Sequence, residues 1–295
     1  MYEHLTLTHG CSLSNLPLFV AAGADLFKQQ GLEVEVPRFT DSSSTMNALI
    51  SGEAELGTIA FVTPYLDAMS EEPPIVIAGS GLMGIELIAQ QPFTRAADLR
   101  GRRVGTFRGD PLEVLLHDAL EADGVAMDEV DVVLLENYAD AVASFERGEL
   151  DAITLAEPFS SRVAPGRNVL SDGKELWGDP FPDTVLVAGR RVLEERPEVV
   201  RAAIRAMLDA ETLIAVDHRA AVAHAARHFP GFTLDELVAA SLKQPPRVDI
   251  RHLRSTFTKR VGSLRSLGWM DPAGVVPDIL DFRILEEELA QRGVP

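Results

Sequence analysis

The chain opens with a strand, a polar turn, a helix and a second strand, and that order limits the folds open to it. Positions 4–8 alternate apolar and polar residues, the pattern of a half-buried strand. Cys11-Ser12-Leu13-Ser14-Asn15 follows as a turn. Ser14 or Asn15 is a natural cap for a helix carrying Leu16, Phe19, Val20, Leu26 and Phe27 on one side. Gly31 ends that helix, and positions 32–36 alternate again. A strand that feeds a helix through a tight turn leaves free backbone N–H groups beyond the strand end. In open α/β sheets this is where small ligands bind.

The alternation continues through the first two thirds of the chain. Strands are predicted over 56–60, 75–79, 87–90, 103–107, 130–135, 152–155 and 184–188. Between them, a helix over 112–123 brings Leu112, Leu115, Leu116, Ala119 and Leu120 to one face, and Gly124 stops it. Such βαβ repetition predicts a largely parallel α/β architecture. Beyond Arg190 the pattern turns helical: Pro197 opens a long helix, a second covers 250–264 and a third 279–289. Two βαβ series repeat one local pattern. Segments 41–45 and 137–140 each enter a helix, and ALISGEAELGTIA and SFERGELDAITLA each pass from helix through glycine to an apolar strand. The expected organisation is therefore two similar lobes, 1–84 plus the returning 189–295, and 85–188.

Composition excludes several classes of function. A net charge of −18 argues against a nucleic-acid partner. A single cysteine rules out an internal disulfide and any multi-cysteine metal site. No apolar run approaches the ~18 residues of a membrane span. His224 and His228 form an i,i+4 pair near His218, but no acid or cysteine nearby completes a metal site, and glycine-rich phosphate-binding loops are absent. No metal and no cofactor are expected. The first strand starts almost at Met1, so the sequence shows no leader. The chain is cytoplasmic if Met1 is its native start, and extracytoplasmic, in the periplasm or at the cell surface, if a signal has been removed.

Four segments carry a resemblance to a known family: ALISGEAELGTIAF, RAADLRGRRVGTFRGDPLEVLLHDALEADG, YADAVASFERGELDAITLAEPF and LVAGRRVLEERPEVVRAAIRAMLDA. In these the chain resembles the periplasmic-binding-protein fold of ABC importers, in the class that binds sulfonates, nitrate, taurine or thiamine-pyrimidine precursors. The resemblance implies a two-lobed (type II) clamp that closes on a small molecule, with crossover strands near 84–87 and 183–186 as its hinge. The implied partners are that ligand and an importer permease.

On this fold the loops at strand ends face the cleft, which selects Cys11, Ser12, Asn15, Ser42, Ser43, Ser44, Thr45, Phe61 and Thr63 from lobe one, and Arg108, Asp110, Glu157 and Phe159 from lobe two. The hydroxyls of 42–45 suit an anion or a carbonyl, or simply cap a helix. Arg108 suits a carboxylate or sulfonate, or else pairs with Asp110. Glu157 suits an amino group, and the two phenylalanines suit a ring or the core. Residues 86–188 hold 20 acidic and 9 basic residues, which favours a neutral or amine-bearing ligand over a highly charged anion. A second reading is an enzyme on the same scaffold, with Cys11 as nucleophile or acid and His9 or Glu157 assisting. Desulfinases of this fold have a cysteine in the equivalent loop, and Leu13-Ser-Asn-Leu-Pro-Leu-Phe19 is similar to an early turn of chorismate dehydratases. The desulfinase pattern also has a histidine and an arginine in the second loop, where this chain has 41–47.

Overall fold

The computed structural model describes residues 2–10, 12–37, 42–66 and 73–294, with backbone alone at 42 and 43. Strands β1 (Glu3–His9), β2 (Leu32–Glu35), β3 (Leu56–Ala60) and β4 (Ile75–Leu82) build one sheet. Strands β5 (Ile85–Ala89), β6 (Arg103–Thr106), β7 (Asp131–Leu134), β8 (Ala152–Ala156) and β9 (Asn168–Ser171) build a second. Strand β10 (Pro182–Ala188) then returns to the first sheet. The strand orders are β2-β1-β3-β10-β4 and β7-β6-β8-β5-β9. In each sheet four strands point the same way and one runs against them. β10 lies antiparallel between β3 and β4, and β5 antiparallel between β8 and β9.

The helices follow in chain order: α1 (Leu16–Gly23), α2 (Leu26–Gln29), α3 (Ser42–Ser51), α4 (Pro111–Ala122), α5 (Tyr138–Glu146), α6 (Phe159–Val163), α7 (Lys174–Trp177), α8 (Arg190–Glu195), α9 (Pro197–Val216), α10 (His218–Ala223), α11 (Leu234–Ser241), α12 (Arg254–Ser266) and α13 (Arg283–Gln291). α9 buries Val200, Ile204, Met207 and Ile214, the face expected from its spacing. α4 buries its five predicted apolar positions.

The structure corrects the expected elements in four places. The first helix is two, because Asp25 takes a left-handed conformation (φ 56°) that breaks the i→i−4 ladder. β9 was not expected: it is a four-residue strand on the sheet edge, with none of its residues fully buried. The last helix starts at Arg283 rather than 279, since Leu280 bridges to Val76 of β4 instead. The second segment, expected to run to 188, gives up β10, every residue of which is buried in the first sheet.

The chain passes between the sheets twice. The first passage, Met83–Gly84, is two residues long, and both adopt positive φ. A Cβ on Gly84 would lie 2.6 Å from the Gln244 side chain, so this passage needs glycine for its conformation and for space. The second passage spans 172–181. α12 stands against both halves: Phe257 meets Phe61 at 5.5 Å, and Arg260 pairs with the buried Asp118 of α4. Trp177 closes this contact, its Nε1–H donating to Asp118 at 2.7 Å and its ring edge-on to Phe61 at 5.9 Å.

Candidate functional site

A cavity of about 560 Å³ opens between the two sheets. From the first half it is lined by Gly10, Ser12, Asn15, Thr45, Thr58, Ile59, Ala60, Asp183 and Thr184. From the second come Ile85, Phe107, Arg108, Asp110, Pro111, Leu135, Glu136, Asn137, Tyr138 and Ala156. Most of these follow the carboxyl ends of β1, β3, β6, β7 and β8, as expected of an open α/β sheet.

Ser12, Asn15, Thr45, Arg108 and Asp110 thus come together from the sequence-predicted set. Arg108 is exposed and forms no ion pair with any described residue; it does not pair with Asp110. Asp110 instead caps α4, its Oδ1 accepting the Leu112 N–H at 3.0 Å. Asn137 caps α5, accepting the Asp140 N–H at 2.9 Å. The N-termini of α4 and α5 meet the cavity wall, and their partial positive charge favours a negative group there.

Other expected residues lie elsewhere. Phe61 is fully buried between Trp177 and Phe257, because the chain after β3 curls inward. Thr63 is buried in a 3-10 turn below it, and Ser44 stands half-buried outside the lining. Glu157 is fully buried near the first passage, accepting from Ser161 Oγ at 2.8 Å and lying 3.4 Å from Lys243 Nζ. Burial pushes its carboxyl above the ordinary range, against the pull of Ser161 and Lys243. Phe159 forms a second layer, stacked at 4.6 Å on Tyr138, which stacks at 4.7 Å on Phe107. His9 is buried edge-on to Phe19 at 4.9 Å and is absent from the lining. Cys11 and the side chains of Ser42 and Ser43 lie outside the described residues.

Among the residues that sequence reasoning missed is Asp183. It is 3% exposed, and its Oδ2 accepts from Gln244 Nε2 at 2.9 Å and Thr184 Oγ1 at 3.3 Å. Burial, assisted by the charge of Asp110, pushes its carboxyl up to about 7. Burial likewise lifts Asp110 to about 6. The one signal in the sequence was an acid opening an otherwise apolar strand. Among the described residues, one trio, His117, Asp118 and Glu121, brings ligand atoms within 4.8 Å of one another. Asp118 is already taken up by Arg260, Trp177 and His117, so this trio is a poor metal site.

Comparison with known proteins places this geometry. The family model described as NMT1/THI5 like matches residues 13–219. The taurine-binding periplasmic protein of Escherichia coli (strain K12) is 28% identical over 215 residues, 71% of this chain and 66% of that protein. A Brucella abortus (strain 2308) protein described as a binding protein is 26% identical over 195 residues, 65% of this chain. The matched segment spans 60% of that relative's length. The crystal structure of the periplasmic aliphatic sulphonate binding protein SsuA from Escherichia coli superposes with a TM-score of 0.79 at 18% identity, covering 95% of this chain and 96% of that one. The fold is thus the two-lobed, α/β periplasmic-binding-protein fold.

Proposed function

The chain belongs to the NMT1/THI5-like family, and from that premise we propose that it is a solute-binding protein that closes its two lobes on one small organic molecule. The ligand carries a compact anionic group such as a sulfonate, and is handed to the permease of an ABC-type importer on the outer side of the membrane. The observation that carries this reading is the cavity between the sheets, lined from both lobes, with Arg108 at its wall forming no ion pair with a described residue. An arginine that forms no ion pair with a described residue, beside the N-termini of α4 and α5, suits an anion. The enzyme reading draws no support from His9, which is packed among aromatic rings away from the lining.

A panel of alkanesulfonates, amino-sulfonates, nitrate, amino-carboxylates and pyrimidines tests the proposal by thermal shift and calorimetry. A true ligand raises the unfolding temperature by mass action. Arg108→Ala is expected to weaken a sulfonate by about 2–5 kcal/mol, while the midpoint of the unliganded protein stays put because Arg108 has no ion-pair partner among the described residues to lose. No stabilisation by any member of the panel refutes the reading.

A further inference from the structure

We infer that the stretch from Gly231 to Glu236, seated on Arg162 of α6, is a latch between the lobes, which lobe rotation releases while two deeper contacts of the same C-terminal segment hold. This rests on the lobe rotation of the reading above and on no particular ligand.

After β10 the chain stays with the first lobe, yet it grips the second at three places among the described residues. Just past α11, Lys243 reaches the buried Glu86 at 3.1 Å and the buried Glu157 at 3.4 Å. Beside it the buried Gln244 donates from Nε2 to the Met83 carbonyl of the first passage at 3.0 Å and to Asp183 of β10 at 2.9 Å. On α12, Arg260 pairs with Asp118 of α4, and both side chains are largely buried. The third place is the entrance to α11. There the Arg162 guanidinium lies over the Phe232 ring at 3.4 Å. Its Nη2 donates to the Gly231 carbonyl at 2.8 Å and to Glu236 Oε1 at 3.1 Å. Phe159 of α6 meets the same Phe232 ring edge-on at 5.2 Å. The stretch is itself anchored to the first lobe, since Phe229 meets Phe19 of α1 at 5.9 Å.

Two bodies held at two points can still turn about the line that joins them; a third contact off that line stops the turn. Glu236 stands in the first turn of α11 and Lys243 just past its last, roughly 10 Å apart at 1.5 Å per helical residue. Arg260 is on a different helix. Rotation therefore gives up one of the three, and desolvation decides which. Parting Arg260 from Asp118, or Lys243 from Glu157, strands a charge in the interior. The side chains of Arg162 and Glu236 are 32% and 45% exposed, so water replaces each partner as they separate. Glu236 also keeps two donors when Arg162 leaves. It accepts from the Thr233 N–H at 2.7 Å and the Thr233 hydroxyl at 2.8 Å, in the capping box of α11. The Arg162 contact is the one that opens and re-forms without leaving a buried group unsatisfied.

Double electron–electron resonance on the unliganded protein tests the inference. Spin labels at Asn47→Cys and Ala139→Cys, in a Cys11→Ser parent, occupy exposed positions on α3 and α5, which contribute Thr45 and Tyr138 to opposite walls of the cavity. Glu236→Gln removes the charge from the pair and keeps the capping box, which glutamine also completes. Arg162→Gln, independently, takes the cation off Phe232. Each is expected to widen the distribution of label distances about twofold, as lobe orientations that the latch excludes become populated. Raising the salt from about 50 mM to about 500 mM should widen the parent distribution and leave that of Glu236→Gln unchanged, because a half-exposed ion pair is screened. Arg219→Gln breaks another ion pair of α11, to Asp235 at 2.6 Å, that lies within the first lobe, and should leave the distribution as in the parent. A parent-like distribution in both latch variants, or equal widening in Arg219→Gln, overturns the inference. With no ligand in the sample, that failure leaves the receptor reading standing, and a ligand panel that binds nothing leaves the latch standing.

Discussion

Asp183→Asn is expected to stabilise the unliganded protein, and to do so more at high pH than at low pH. The carboxyl is 3% exposed, and burial raises it from an ordinary 3.8 to about 7. Between those two values the unfolded chain ionises the group while the folded chain keeps it protonated. Stability is therefore fully present below pH 4 and declines as pH rises towards 7. Each pH unit across that window costs about 1.36 kcal/mol, so the loss at pH 5 is about 2 kcal/mol, and above pH 7 it levels off near ~4 kcal/mol. Asparagine keeps an oxygen for the Gln244 amide and never ionises, so the variant escapes the loss. Urea titrations followed by the emission of Trp177 and Trp269 at pH 5, 6, 7 and 8 measure the difference. It should widen from pH 5 to pH 7 and then level off. A difference that stays constant from pH 5 to pH 8 would mean that Asp183 is already ionised in the folded protein, and the reasoning would fail.

Two further outcomes follow from packing. Arg260→Met strands the buried Asp118 with the neutral donors Trp177 and Ser263 and with His117, and should cost about 3–5 kcal/mol; a double variant with Asp118→Asn should recover part of it, and additive losses in urea unfolding would refute the pairing. Gly81→Ala would set a Cβ 2.6 Å from Ser14 Cα and 2.7 Å from its carbonyl oxygen, both backbone, so it should cost about 1–3 kcal/mol and push Ser12 and Asn15 out of place. An unchanged urea midpoint would contradict it.

Elements with strong periodicity were readable because burial acts on one face of a helix or one run of a strand. α4 and α9 show this. The break at Asp25 was not readable, since a left-handed aspartate sits inside an apolar pattern that continues across it. The sheet to which β10 belongs was hidden for a related reason. A strand buried on both faces has the same composition whichever neighbours it takes, and β10 was assigned by pairing with β3 and β4, far away in sequence. At the site, loops after parallel strands were a sound guide to Ser12, Arg108 and Asp110. The same guide picked Phe61 and Glu157, whose inward turn depends on Trp177, Phe257, Ser161 and Lys243, and nothing local marks it. It overlooked Asn137 and Tyr138, seen only as a helix entrance, although that entrance forms part of the cavity wall.

Asp183 escaped that guide because of strand direction. Ligands lie beyond the carboxyl ends of parallel strands, but an antiparallel strand brings its beginning to the same edge. The register pairs Thr184 with Ala60, so the start of β10 stands beside the end of β3. β5 does the same in the second sheet, where Ile85 pairs with Ala156 and also lines the cavity. Each antiparallel strand begins where the chain has just passed between the sheets, and Phe181, two residues before Asp183, accepts a hydrogen bond from Met83 of the other passage at 3.1 Å. Asp183 therefore sits near the axis about which the proposed clamp turns, while Arg108 and Glu136 sit at the exposed rim. In a rotation, groups near the axis move least and those at the rim move most. For the proposed closure this gives a ligand a defined order of capture. Under that proposal the part of the ligand beside Asn15 and Thr184 meets the groups nearest the passages, and an anionic end is gripped when closure brings Arg108 and the N-terminus of α5 to it.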